Sequence, residues 1–245
     1  MTGYVVQNGN NMPMQAPLIP DPFVPYRCPD NATLSIVCRT NRAVLERYLA
    51  PTAFAPAGDL YLVYVSDFSN CDKVPFMDGG IMVPVTYDGR DGATYLFEYE
   101  DNDAAIAAGR DLWGYPKKHG ELTLTREGDR VAGSIIRWGT EILNITCDLA
   151  NPVDLPAITT APHFNTHLQP GPDGRVLSRR IIERDTSPDF QLKSTKTGRA
   201  TVELAGLPTD PLHELRPQEI LGGIYTVGDF FATEQNGWGR TVAEF

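Results

Sequence analysis

Across its middle the chain reads Gly109-Arg110-Asp111-Leu112-Trp113-Gly114-Tyr115-Pro116-Lys117-Lys118-His119-Gly120-Glu121-Leu122, which is the end of a helix, a stiff turn and the start of a strand. Upstream, Asn102 is placed to cap a helix running to about Leu112, and Ala104, Ala105, Ala107 and Ala108 are strong helix formers. Gly114 and Pro116 close that helix. Downstream, Glu121 to Arg126 and Arg130 to Trp138 pair across Glu127-Gly128-Asp129 as a hairpin, and Glu141 to Leu149 continues the meander.

Outward on the N-terminal side, Thr33 to Arg39 reads as a strand, and Asn41 caps a short helix from Arg42 to Leu49 that Pro51 ends. Asp59 to Phe68 is an apolar, aromatic run typical of a buried strand. Ile81 to Tyr87 and Ala93 to Glu100 are strands joined by a DGRDG turn. On the C-terminal side Pro152 to Pro162 is a loop. Strands follow at about Phe164–Gln169, Val176–Asp185, Phe190–Thr195 and Arg199–Leu204, and Glu219 to Ala232 is apolar and β-rich. Many antiparallel strands with a few short helices predict an α+β protein that is mainly antiparallel β, closed as a barrel or cone of strands. Residues 1–30 carry Pro13, Pro17, Pro20, Pro22, Pro25 and Pro29, so an extended, proline-rich arm is expected there. Leu18, Ile19, Phe23, Val24 and Tyr26 give that arm apolar groups with which to dock. No linker interrupts residues 31–245, which read as a single domain.

The 245 residues carry 21 Lys+Arg against 31 Asp+Glu, a net charge of −10, which argues against nucleic acid and anionic membrane surfaces as partners. An anionic substrate would need a positive pocket built against that background. The four cysteines, Cys28, Cys38, Cys71 and Cys147, form no CxxC and are expected as free thiols in a reducing cytoplasm. No apolar run approaches a membrane span, and no basic n-region with an apolar h-region opens the chain.

GxGxxG after a strand, Walker A, GxSxG and HExxH are all missing. His163 and His167 share a strand face, but no acidic partner lies close in sequence and no metal site is expected. The lysine pair is the remaining candidate. Most lysine pairs at turns are simply hydrated. A free lysine is neutral in only about 1 of 2500 molecules at pH 7, whereas attack on a carbonyl needs the neutral amine. Burial in an apolar pocket and a neighbouring ammonium both favour that form. Trp113, Tyr115 and Pro116 can supply the first influence and the Lys117-Lys118 pair the second.

GRDLWGYPKKHG with the preceding EDNDAAIAA resembles the signature of the acetoacetate decarboxylase family, itself the standard example of a lysine activated by a neighbouring cation. The resemblance extends over IVCRTNRAVLERYLAP, MDGGIMVPVTYDG and Pro208 to Ala232. It implies Lys117 as Schiff-base nucleophile and Lys118 as its cationic neighbour. The family's active-site glutamate is matched by Asp78, one methylene shorter, and the family's carboxylate-binding arginine by Asn31, with Arg27 nearby but out of register. Tyr225 is either a proton donor or core packing. Trp113 and Tyr115 are expected as pocket wall, and Arg110 as partner of a structural carboxylate. The implied activity is a lyase that decarboxylates a small, acetoacetate-like β-keto acid to a ketone and CO₂. The alternatives are an aldolase, dehydratase or hydratase acting on a 2-oxo acid such as pyruvate through the same imine, or a non-catalytic ligand-binding relative. The chemistry implied needs no cofactor, and the family resemblance implies a homo-oligomer.

Overall fold

The computed structural model describes residues 11–245; the first ten positions of the expected arm lie outside the described residues. Residues 11–25 form no helix or strand, yet Ile19, Phe23 and Val24 are buried. The chain then runs through β1 (Tyr26–Arg39), α1 (Arg42–Leu49), β2 (Ala55–Pro56), β3 (Leu60–Phe68), β4 (Phe76–Tyr87) and β5 (Arg90–Glu100). α2 (Asp103–Trp113), β6 (Lys117–His119), β7 (Glu121–Glu127), β8 (Arg130–Arg137) and β9 (Thr140–Asp148) follow. β10 (His163–Pro170), β11 (Val176–Arg184), β12 (Gln191–Leu204), β13 (Glu219–Ala232) and β14 (Arg240–Glu244) complete it, with short 3₁₀ turns at Ser187–Asp189 and Leu212–Leu215.

β1 begins at Tyr26, well before the expected Thr33, and takes Pro29 with it. A register shift between Cys28 and Asn31 makes this possible: Pro29 sits where the ladder to β13 is interrupted and no N–H is demanded of it. The two strands expected at Phe190–Thr195 and Arg199–Leu204 are one strand, because β12 changes partners midway and does not turn. Gln191–Gly198 pairs with β13 and Arg199–Leu204 with β9.

That change of partner shapes the molecule. The strand order is β14-β11-β10-β5-β4-β3-β1-β13-β12-β9-β8-β7, an open path whose ends are β14 and β7. The closed barrel or cone expected from sequence is therefore not formed by hydrogen bonds: the sheet folds over on itself, and its last strands pack across its middle ones. β7, β8 and β9 lie against β1, β3 and β4. Between the layers sits the main core, with Leu34, Ile36, Val63, Val65, Ile135 and Ile145 fully buried. Period-2 alternation brings these side chains to one face of each strand. A second, smaller cluster forms on the opposite face of β4 and β5, where Phe23, Tyr26, Ala105, Ala108, Trp113 and Tyr115 pack together.

α2 lies over that second face. The Asn102 side chain accepts from Ala104 N (2.9 Å) and Ala105 N (3.4 Å), as its position before the alanine run requires. At the other end Gly114 takes φ +73°, its N–H donates to Arg110 O (3.1 Å), and Tyr115 N donates to Gly109 O (3.0 Å). A Cβ at Gly114 would also meet His167 at 2.7 Å, so glycine serves both the backbone turn and the close approach of β10.

Candidate active site

β6 lies parallel to β5 with Lys117 opposite Glu98 and Lys118 opposite Tyr99, and β4 pairs antiparallel on the other side of β5 with Asp78 opposite Glu100. Alternation does the rest. Asp78, Glu98, Glu100 and Lys117 project to the face covered by α2, whereas Tyr99 and Lys118 project to the other. Lys117 Nζ stands 2.9 Å from Glu98 Oε1 and 3.9 Å from Asp78 Oδ2, and it donates a short hydrogen bond to Glu100 Oε1. One oxygen from each of the three carboxylates lies within 4.8 Å of the other two. Such a group can hold a cation, and the ammonium of Lys117 fills that role. All four residues are at least nine-tenths buried.

The rest of the pocket is aromatic. It encloses about 560 Å³ including its mouth, with Phe23, Tyr26, Phe76, Trp113 and Phe230 in the walls. The Tyr115 ring centroid is 5.2 Å from Lys117 Nζ and that of Phe76 is 5.9 Å away. Gly109 of α2 presses on the lysine stem so closely that a Cβ there would collide with Lys117 Cδ and Cε. The Arg110 side chain, expected to meet a carboxylate, donates instead to Lys117 O (3.1 Å) and ties the helix to β6.

Burial pulls the Lys117 amine towards its neutral form, but the charges of Asp78, Glu100 and Glu98 outweigh burial and hold its pKa well above the ordinary value. These charges oppose the lowered lysine pKa expected from burial and an adjacent ammonium. The same crowding acts on the acids. Burial, against the pull of Lys117, pushes Glu98 well up and Glu100 up to about 8. Asp78 is raised by burial while Lys117 and the Tyr64 hydroxyl, which donates to its Oδ1 at 3.0 Å, pull the other way. With Glu100 raised to about 8, the Lys117–Glu100 pair keeps an exchangeable proton near neutral pH.

A polar chain forms the pocket's far wall. Tyr115 Oη lies 2.8 Å from His163 Nδ1, and Tyr95 Oη 3.3 Å from His163 Nε2. Burial and the nearby Arg184 charge push His163 down to about 4, so the imidazole is neutral near pH 7. The Arg184 side chain, from the end of β11, donates to Gly237 O (2.8 Å) and Tyr26 Oη (3.0 Å), with its guanidinium carbon 3.9 Å from the Trp113 ring centroid.

Of the residues singled out from the sequence, the fold brings Lys117, Asp78, Trp113 and Tyr115 into one pocket. It does not bring in Lys118, Arg27 or Tyr225. Lys118 Nζ reaches Thr209 O (2.7 Å) and Asp210 Oδ1 (2.8 Å) on the opposite face of the sheet. Arg27 covers the Phe231 ring at 4.4 Å and lines a separate cleft with Asp189 and Asp229. Tyr225 belongs to the main core, with the Arg126 guanidinium 5.2 Å from its ring. Asn31, at the family's arginine position, donates to Asp67 O (2.8 Å) and is a structural strut. Sequence reasoning passed over Glu98, Glu100, His163 as a pocket residue, and Arg184. The acid-apolar-acid order of Glu98-Tyr99-Glu100, in a strand leading straight to a capped helix, was the one signal available.

The family model described as acetoacetate decarboxylase matches residues 11–237. The acetoacetate decarboxylase of Burkholderia cenocepacia is 29% identical over 222 residues, covering 89% of each chain. The crystal structure of acetoacetate decarboxylase from Legionella pneumophila superposes with a TM-score of 0.81 at 23% identity, covering 90% of this chain and 88% of the other. The enduracididine biosynthesis enzyme MppR complexed with pyruvate superposes with a TM-score of 0.74 at 16% identity, covering 96% and 97%.

Proposed function

The chain belongs to the acetoacetate decarboxylase family, and from that premise we propose that it is a lyase in which Lys117 forms a Schiff base with the ketone of a small β-keto acid and releases CO₂. The observation that carries this reading is the placement of Lys117: a buried amine at the floor of an aromatic pocket, hydrogen-bonded to a carboxylate able to take its proton.

Glu100, raised to about 8, accepts the ammonium proton of Lys117. The freed amine adds to the carbonyl carbon. The carbonyl oxygen leaves as water once a proton from Glu98 or Glu100 reaches the carbinolamine hydroxyl. The resulting iminium receives the electron pair of the C–C bond as the carboxylate departs as CO₂, giving an enamine. A proton delivered to its terminal carbon, for which Tyr95 on the His163 chain is a candidate donor, regenerates an iminium. Water then hydrolyses it to the ketone and free Lys117.

The two glutamates beside Lys117 also favour a second reading. Groups that expel a carbinolamine hydroxyl can equally expel one from an aldol, so aldolase or dehydratase chemistry on a 2-oxo acid uses the same imine. The fold relative MppR, solved with pyruvate, gives this a structural parallel.

Borohydride reduction in the presence of acetoacetate or pyruvate tests the imine. A covalent mass gain on Lys117 that vanishes in Lys117→Ala supports it. Folded protein that gains no mass with either acid overturns it, and with it both enzymatic readings. Release of CO₂ from acetoacetate, against condensation of pyruvate with an aldehyde, separates the two.

A further inference from the structure

Arg184 is 8% exposed, and among the described residues no carboxylate stands within 4.0 Å of its nitrogens. Its neighbour Glu183 is already taken by Arg90 and Arg240. The partners that Arg184 does have, Gly237 O, the hydroxyls of Tyr26 and Tyr115 and the face of Trp113, are neutral. A guanidinium taken out of water without an anion is costly, and a bound anion recovers that cost. Arg184 also stands where two cavities meet. It lines the Lys117 pocket and an adjoining cleft that reaches Thr33, Ser35 and Ser66 on β1 and β3, and Asp78, Tyr95 and His163 line both. The combined space is thus polarised, with Lys117, Glu98 and Glu100 lining the first cavity and an unpaired cation on the wall that the two cavities share.

We propose that Arg184 anchors a substrate carboxylate that stays on the product, so that the preferred substrate is an oxo acid with two carboxylates, one lost beside Lys117 and the other held by the guanidinium. The inference rests on the reading of Lys117 as the imine-forming amine of a decarboxylase. Charge decides which carboxylate is held. Loss of CO₂ drains negative charge from the departing carboxylate, so a cation bound to it would stabilise the starting state more than the transition state. The retained carboxylate keeps its charge throughout and can be held without that penalty. The departing one lies among Asp78, Glu98 and Glu100, which do not stabilise its charge.

Acetoacetate and 3-oxopentanedioate differ only by a terminal carboxylate and serve as probes. CO₂ release above the spontaneous rate is measured for wild type, Arg184→Gln and Arg184→Lys. The expected result is a kcat/KM ratio favouring the diacid by at least about tenfold in wild type, falling towards one in Arg184→Gln and partly restored in Arg184→Lys, as the loss of a charge-assisted contact predicts. A wild-type preference for acetoacetate, or a ratio unchanged in Arg184→Gln, overturns the proposal. Calorimetric binding of pentanedioate, which has no carbonyl, is the second arm. Binding by wild type that Arg184→Gln abolishes supports the anchor even if no imine forms, and equal binding by both sinks it. Because Arg184 braces Tyr26 and Gly237, each variant is first checked for a native thermal transition. If Arg184→Gln fails that check, the charge-retaining Arg184→Lys decides: a diacid preference and pentanedioate binding both kept at the wild-type level overturn the anchor, and both weakened support it.

Discussion

Lys117 and Lys118 are consecutive in the chain, and their ammonium groups are held on opposite faces of the sheet, the first by Glu98 and Glu100 and the second by Asp210. The lysine pair is therefore not a pair in space. Acid and aromatic rings surround the Lys117 ammonium, Gly109 of α2 presses on its stem, and three buried carboxylates outweigh burial in holding it charged.

Lys118→Met tests this separation. Asp210 also accepts from Tyr99 Oη (2.8 Å) and Thr209 Oγ1 (2.7 Å), so Lys118 is one of several groups that hold a fully buried carboxylate. Removing it should lower unfolding free energy by about 1–3 kcal/mol, the range for a buried acceptor deprived of a charged partner. The pH profile of borohydride trapping on Lys117 should not move. An upward shift of the profile, as expected for loss of an adjacent cation, would mean that Lys118 acts on Lys117 in solution.

Glu100→Gln should move that profile the other way. The charge on Glu100 favours the ammonium form of Lys117, and removing it lowers the pKa of the amine. The rising limb of imine formation should shift to lower pH by about 1–3 units, the usual influence of a close opposite charge. Glu98→Gln should shift it less, because Glu98 ranks behind Asp78 and Glu100 among the charges that favour the ammonium. Equal shifts, or none for Glu100→Gln, would contradict the charge assignment.

The contrast with the sequence reading has a physical origin. α2 was legible because its signals are local: Asn102, the alanine run and Gly114 each act within one turn of themselves. Lys117 was legible because a turn motif carries it. The side of the sheet on which Lys118 falls was hidden, since β6 spans only Lys117–His119 and is too short to show an alternating pattern. Glu98 and Glu100 had the look of the wet face of a strand whose dry face is Tyr99. They are buried because α2 and residues 19–26 cover that face, and no local rule announces such a long-range contact. Arg184 ends a strand that also carries the exposed Arg179 and half-buried Arg180, and only the fold reveals that this one is buried. The closure of the sheet failed for a similar reason, as the change of partner within β12 at Gly198 leaves no mark on hydrophobic alternation.

His163 should impose an acid limit on stability. Its pKa is about 4 in the folded protein, against about 6.5 when unfolded. Above pH 6.5 both states are neutral and the group contributes fully. Between 6.5 and 4 the unfolded chain takes up a proton that the folded one refuses, so stability falls by up to about 1.4 kcal/mol per pH unit. Denaturant melts of wild type and His163→Asn across that window should differ in slope by this amount, wild type being the steeper. Parallel curves would show that the imidazole is not held neutral.

Gly109→Ala separates the position of the amine from the stability of the fold. Within α2, alanine is favoured over glycine by about 1 kcal/mol, so the helix itself should gain. The new methyl, however, occupies the space of Lys117 Cδ and Cε. That stem is the flexible partner, and the backbone of α2 is fixed by Arg110 and by both helix caps. The lysine stem should shift while its ammonium stays among the three carboxylates, so the variant should keep its melting temperature while its trapping rate on Lys117 falls at least about tenfold, as a displacement of order 1 Å at a reacting atom allows. If melting temperature drops together with trapping, the helix has moved and the lysine has not. If trapping is unchanged, the contact with Gly109 is not what positions Lys117.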